Sequence, residues 1–565
     1  MKIRIAFLFL SIGLFAQNPY PTDYFRSPLD IPLLLSGSFG ELRSNHFHTG
    51  LDFKTQQKEG LKVYAAADGY ISRIKISAYG YGKAIYIDHP NGYTTVYGHL
   101  SEANGAIAEF IKNTHYKEKS FEIEMFPKPN ELPVKKGDVI AFSGNTGGSG
   151  GPHLHFELRD TKTEKIINPL LFGFNVQIAD TKKPVLTTLM AYPVGENSSV
   201  NQSQRPLPIN LVQQPDGNYK VDKVLASGKI GFGISSYDGF DFTYNKNGFF
   251  KVQTFSNGSP YFGYQFDSFG FDEGRYINAL VDYVRFKKTG MRIQKLFMSP
   301  PYKLSIIKSG TDFGLFDVLP FTNFISKIEI SDFNGNKINV EIPIEYSDLP
   351  VTVTKEESKK TNYFLKAKND NNYTKDNISV FVPANTFYED FYLDFDVKDN
   401  VLTFGDDSTP VHSNFNVTFE NSTLTETERS KTFIASIDGK KLSYNATIRK
   451  ENTFTTYTKN LGKFVLANDT IAPKITPVNV KEGKWLSKQN NIQFTISDNL
   501  SGLKEFSGYL NGKWVLFEYD YKTRKITHMF DTDFLLDGRN DLKVVVADNV
   551  GNSVIFETHF YRKKL

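Results

Sequence analysis

Gly144-Asn145-Thr146-Gly147-Gly148-Ser149-Gly150-Gly151-Pro152-His153-Leu154-His155-Phe156-Glu157-Leu158 is the stretch that decides the fold. A glycine-rich loop runs into residues that alternate in polarity. In a β-strand, residues two apart leave the same face. His153, His155 and Glu157 therefore share one face, and Leu154, Phe156 and Leu158 share the other. Two imidazoles backed by an apolar face are how a rigid sheet presents metal ligands.

Upstream, His48-Thr49-Gly50-Leu51-Asp52 places an imidazole and a carboxylate four residues apart, a spacing that shares a face in helix or strand. Zinc accepts nitrogen and carboxylate oxygen, and a catalytic site keeps three protein ligands with one position open for water. His48, Asp52 and one of His153 or His155 make such a set, with His99 as a fifth candidate. Of the ten histidines, seven fall between residues 46 and 155. His46 is read as a bystander, and His89, just before Pro90-Asn91-Gly92, as a turn or supporting residue. Tyr97 is open between lining the cleft and packing the sheet.

The order of these blocks resembles the LytM/lysostaphin-type zinc metallopeptidases, which cut peptide bonds in bacterial peptidoglycan. The resemblance rests on His48–Asp52, Ala66-Ala67-Asp68-Gly69, and Tyr81-Gly82-Lys83-Ala84-Ile85-Tyr86-Ile87-Asp88-His89. It continues through Thr95-Val96-Tyr97-Gly98-His99-Leu100 and the loop and strand quoted first. It implies that His48, Asp52 and His155 are the ligands of one Zn2+ per chain, and that His99 and His153 are the catalytic histidines. None of the five positions is substituted. The chemistry is consistent: zinc lowers the pKa of its water to about 7 and polarises the scissile carbonyl. An imidazole can take the water proton and return it to the leaving amine. The resemblance leaves open which of His99 and His153 is the base.

Between His99 and the strand Gly137–Phe142 lies a segment, about 101–135, longer than the family's usual connection. Its Ala103–Lys117 stretch reads as helix. The segment is open between shaping substrate choice and a plain surface loop.

Met1-Lys2-Ile3-Arg4 followed by an apolar run to Ala16 reads as a signal peptide, residues 1–16, and predicts export to the periplasm, cell envelope or medium. With no cysteine, the reading excludes disulfides and a lipid-modified cysteine anchor. No further apolar run is long enough to predict a transmembrane segment in the mature chain. A net charge of +4 with interspersed signs, and no nucleic-acid motif, argue against nucleic-acid binding.

Aromatic residues reach 14%, and β-branched residues with Gly, Asn and Asp turns are frequent, so the chain reads as mainly β. The expected architecture is an N-terminal antiparallel β-sheet metallopeptidase domain over residues 17–175, followed by several β-sandwich, Ig-like domains. A weak internal repeat organises that remainder. Asp180-Thr181-Lys182-Lys183-Pro184 matches Asp469-Thr470-Ile471-Ala472-Pro473. The strand ending at Asp238 matches one ending at Asp498, and Asp332-Phe333-Asn334-Gly335-Asn336 matches Asp548-Asn549-Val550-Gly551-Asn552. Sandwiches are expected over 176–347 and 469–565, with another β-rich domain over 348–468. The segment starting at Asp332 resembles the opening of an EF-hand loop, but Pro343 stands where the bidentate Glu belongs, so it reads as a hairpin turn.

The functional expectation is a secreted zinc endopeptidase acting on peptidoglycan stem or cross-link peptides, with envelope-protein partners held through the β domains. The alternatives are an adhesion protein with a vestigial peptidase unit, and a zinc endopeptidase acting on protein substrates.

Overall fold

A computed structural model describes residues 19–357, 359–530 and 532–563, without the side chain of Thr532. The signal peptide expected at 1–16 lies outside the described residues. The protein is mainly β, with an antiparallel β-sheet unit at the N-terminal end and further β sheets after it.

The quoted stretch forms the centre of the first sheet. Its strands are β1 (Leu51–Lys54), β2 (Gly69–Ile76), β3 (Lys83–Asp88), β4 (Tyr93–Ala103), β5 (Val139–Ser143) and β6 (His153–Asp160). They are antiparallel in the order β1-β6-β4-β3-β2, with β5 paired to the far end of β4. The alternation in β6 does what its residues dictate. Leu154, Phe156 and Leu158 are fully buried, and Phe156 packs on Phe53 and Tyr97 at ring-centroid distances of 6.0 and 5.4 Å. Burying each such side chain contributes about 1.5–3 kcal/mol. That burial fixes the register, because a slip by one residue would turn the leucines out and the histidines in.

The glycine-rich loop is shaped by a close approach of two backbones. Gly147 has φ +66°, and a Cβ there would lie 2.3 Å from the Gly82 nitrogen. Gly148 N–H donates to the Gly80 carbonyl at 2.7 Å. The long connection after β4 carries the expected helix, α1 (Gly105–Glu118), and an edge strand, Ile123–Met125, against β2.

The next region holds β7 (Val185–Pro193), β8 (Val224–Tyr237), β9 (Asn323–Ser331) and β10 (Lys337–Tyr346) in a 13-stranded sheet. β9 and β10 form the expected hairpin, closing at Ser331 opposite Lys337. The core continues across the boundary expected between residues 175 and 176. One apolar cluster runs from Phe25 to Ile344, and Ile166 and Ile167 pair with Phe269 and Ser268. Phe266 and Phe269 pack at a tilt against Phe47, so aromatic side chains from the later region complete the core of the first unit. Short helices at Ile277–Leu280, Tyr283–Thr289 and Glu426–Lys431 have no periodic signal in the sequence, being too short to show one.

Two five-stranded sheets spanning 371–468 enclose a separate core that includes Phe404, Phe415 and Phe454. The last unit packs a four-stranded sheet on a five-stranded one containing β11 (Gly538–Asp548) and β12 (Ser553–Arg562). This unit folds back onto the first. Lys83 Nζ pairs with Glu518 at 2.8 Å, Tyr79 packs at a tilt against Tyr521 at 4.8 Å, and Tyr116 of α1 meets Trp514 at 5.3 Å. Lys522 Nζ donates to the carbonyls of Asn145 and Ser149 in the glycine-rich loop. The insertion after β4 is therefore a docking surface for the C-terminal unit.

Candidate metal centre

β6 lies between β1 and β4, with His155 opposite Asp52 on one side and Gly98 on the other. That register brings residues 103 apart in sequence into contact. His48 enters from the loop before β1. Its Nε2 lies 3.1 Å from Asp52 Oδ1 and 3.1 Å from His155 Nδ1, and His155 Nδ1 lies 2.9 Å from Asp52 Oδ1. Three donors thus face one point from three directions. Ligands bound tetrahedrally to zinc at about 2.0–2.1 Å would stand about 3.3 Å apart, so the triangle is of the right size.

The other nitrogen of each ring is already engaged. His48 Nδ1 lies 2.8 Å from the Ser38 carbonyl, and His155 Nε2 lies 2.8 Å from Glu157 Oε1. A carbonyl or carboxylate there must accept, so each outer nitrogen carries an N–H and each inner nitrogen is the one a metal would bind. This is the outer support a metal-binding imidazole requires. The donor set, two imidazole nitrogens and one carboxylate oxygen, fits zinc.

The electrostatics agree. Burial would raise the Asp52 pKa, but His48, His153 and His155 hold it well below the usual carboxylate value. Burial pulls His155 down, yet hydrogen bonds to Asp52 and Glu157 outweigh it and raise it to about 9. In the metal-free chain a proton serves as the shared positive charge, and a divalent cation would displace it.

Glu157 is the functional residue that the sequence reading placed on the right face but gave no role. It is wholly buried and bonded to His155, Thr49, Tyr81 and Arg159. Burial opposes its charge, but Arg159 and His155 hold its pKa far below the ordinary carboxylate value. The signal was present in the two-residue spacing from His155. Arg43, whose Nη2 donates to Asp52 Oδ2 at 3.0 Å, carried no such signal. The Glu157→Gln variant is expected to bind zinc about 10–100-fold more weakly, measured by competition with a chromogenic chelator. Unchanged affinity would mean that Glu157 serves the fold alone.

His99 and His153 stand beside the triangle, their rings 4.7 Å apart. His99 Nδ1 lies 2.8 Å from the Thr146 carbonyl, and His153 Nδ1 lies 2.8 Å from the Gly151 carbonyl. Both rings are thus held with Nδ1 protonated and Nε2 turned toward the centre. His153 Nε2 is 3.4 Å from Asp52 Oδ1. Burial, then His155 and His153, lower the His99 pKa to about 3, so its ring is neutral at physiological pH. Asp52 and His153 border an open cleft with Leu34, Ser36, Lys54, Gln56, Gly150 and Pro152.

The remaining sequence candidates fall outside the centre. His46 is exposed and bonded to Asn45. His89 is buried, with its nitrogens on the Asp68 carbonyl and Thr95 Oγ1, both at 2.8 Å. Tyr97 packs in the core, its hydroxyl accepting from Ala66 N–H at 2.9 Å.

Comparison with known proteins agrees with this geometry. Residues 46–115 and 128–169 match Peptidase family M23, and the gap falls in the inserted segment. Residues 362–469 match a Zu5-like domain. Over 118 residues the chain is 38% identical to the DD-carboxypeptidase/endopeptidase Mpg of Neisseria meningitidis serogroup B, a match covering 21% of each protein. It is 30% identical over 139 residues to the peptidoglycan DD-endopeptidase ShyA of Vibrio cholerae serotype O1, covering 24% of this chain and 26% of that one. The chain thus spans about a fifth to a quarter of the length of these curated relatives. Among solved structures, the catalytic domain of lysostaphin from Staphylococcus simulans is 25% identical, covering 25% of this chain and 91% of that one at a TM-score of 0.19. The N-terminal domain of this chain is thus similar to peptidase family M23 over residues 46–169.

Proposed function

We propose that this protein is an exported zinc endopeptidase that hydrolyses the peptide cross-links of bacterial peptidoglycan during wall remodelling. The observation that carries the proposal is the triangle of His48 Nε2, Asp52 Oδ1 and His155 Nδ1, with no side longer than 3.1 Å. The names of the relatives support a DD-endopeptidase reading.

In this reading His48, Asp52 and His155 hold the metal. When bound, zinc would acidify a water molecule and polarise the scissile carbonyl. The chain's own residues supply the rest. The Nε2 atoms of His99 and His153 face the same space, so between them they accept the proton of the attacking water and deliver it to the departing amine. The hydrogen bonds from Nδ1 to the Thr146 and Gly151 carbonyls keep each ring in the tautomer that can accept. The cleft beside Asp52 and His153 is open along the surface, which suits an extended peptide. The β-rich units would bring the enzyme to the wall or to envelope proteins.

Digestion of purified sacculi with the zinc-loaded chain tests this. Release of cross-link fragments, identified by mass, is the expected result. Intact sacculi alongside cleaved protein substrates would replace the wall with protein as the substrate.

A further inference from the structure

The internal repeat has a second consequence, away from the metallopeptidase centre. Its three matched aspartates come together in space, and this happens twice. Asp180, Asp238 and Asp332 each offer an oxygen within 4.8 Å of the others, and so do Asp469, Asp498 and Asp548.

The two clusters share their scaffold, bond for bond. In the first, Asn336 N–H donates to Asp332 Oδ1 at 2.9 Å, and Asn336 Nδ2 donates to Asp332 Oδ2 at 2.7 Å and to the Asp180 carbonyl at 3.2 Å. In the second, Asn552 makes the same three bonds, to Asp548 Oδ1, Asp548 Oδ2 and the Asp469 carbonyl, at 2.8, 2.7 and 2.9 Å. The hairpin turn therefore exists as a device that aims one carboxylate at another strand's aspartate.

The clusters differ in how the charge is met. In the second, backbone amides carry much of it, although the buried Oδ1 of Asp498 has no hydrogen-bond partner. Ser501 N–H donates to Asp469 Oδ2 at 2.9 Å, and Leu500 and Gly502 donate to Asp498 Oδ2 at 3.0 and 2.7 Å. The first has less of this support, with Lys182 N–H donating to Asp180 Oδ1 at a long 3.3 Å. Asp238 is 1% exposed, and its buried Oδ1 has no hydrogen-bond partner, nor does the buried Oδ2 of Asp180. Lys182 gives its amine to the Phe240 carbonyl instead. Asn247 pairs with Asp238 through reciprocal backbone bonds of 2.8 Å, so its side chain leaves the same side of the ladder. It is 2% exposed, and both polar atoms of its amide lack partners. Oxygens buried without a donor are costly unless a cation meets them.

We propose that Asp180, Asp238 and Asp332, with Asn247 Oδ1 as a fourth oxygen, form a calcium site. The donors are all oxygen, which favours a hard cation over zinc. Without a cation the carboxyls resist ionisation. Burial, then the neighbouring aspartates, push Asp180 to about 7 and Asp238 to about 8. A bound ion would tie the point where the chain leaves the peptidase domain, at Asp180, to the β9–β10 turn and the end of β8. The EF-hand-like opening at Asp332 thus contributes one ligand to a site assembled from three separate segments.

The test is calorimetric titration of the full chain with calcium chloride, after removal of divalent ions and reloading with one equivalent of zinc. About one calcium should bind with a Kd on the order of 10⁻⁴ M, as in extracellular modules. Saturation should raise the thermal midpoint by about 5 °C. Asp238→Asn should abolish that binding, while Asp498→Asn should retain it. No binding to the unaltered chain at about 10 mM calcium overturns the proposal whether or not the variants fold. So does binding that survives in Asp238→Asn, or a site that takes magnesium and refuses calcium. If shared protons hold the three carboxyls instead, no cation binds and the midpoint rises as the pH is lowered.

Discussion

Replacing His155 with alanine is expected to strip the chain of its zinc and abolish hydrolysis. His155 supplies one of three donors in the triangle and is 2% exposed, so no neighbouring group or solvent path replaces it. Losing an outer partner of a ligand costs about 10–100-fold in metal affinity, and losing the ligand itself exceeds that. Metal content by mass spectrometry should fall from about one zinc per chain to background. Circular dichroism separates this from unfolding. A folded variant that still carries a full equivalent of zinc would dissolve the assignment of the ligands.

Replacing His153 with alanine should have a different outcome from the same strand. Its Nε2 faces the centre, but Nδ1 is held by the Gly151 carbonyl and the ring lies beside the triangle rather than in it. The zinc should remain at about one equivalent. Turnover should fall by about 10²–10⁴, the usual worth of a positioned proton carrier. The loss should appear in kcat rather than in KM, since the ring acts on the proton and not on the peptide's grip. If both variants lose metal equally, the roles of His153 and His155 are exchanged.

The centre was legible in the sequence because it is built from strands. A period of two assigns faces without knowledge of the rest of the fold, and that sufficed for His153, His155 and Glu157. Choosing His155 over His153 as the ligand came from the family resemblance. In the structure, Glu157 behind His155 frees Nδ1 toward Asp52. The support from Ser38 and Arg43 was not legible, because a carbonyl has no sequence signature and Arg43 reaches Asp52 from an irregular loop. The repeat was legible as three matched pairs of turns, but sequence alone does not say that segments 29 to 94 residues apart deliver their aspartates to one place. The shared core was hidden for a similar reason. Nothing in the sequence marks Phe266 and Phe269 as partners of an earlier sheet, which they complete through the pairing of Ile166 with Phe269 and the packing on Phe47.

Lys522 bears on the order in which the molecule is made. Ribosomes release a chain from its N-terminus, and units fold as they emerge. Every residue of the metal triangle has been synthesised by position 155, yet the amine that grips the carbonyls of Asn145 and Ser149 arrives more than 360 residues later. The rim beside His153 is therefore fastened last, and a catalytic domain released early, or cut free, lacks the clamp that the finished protein carries.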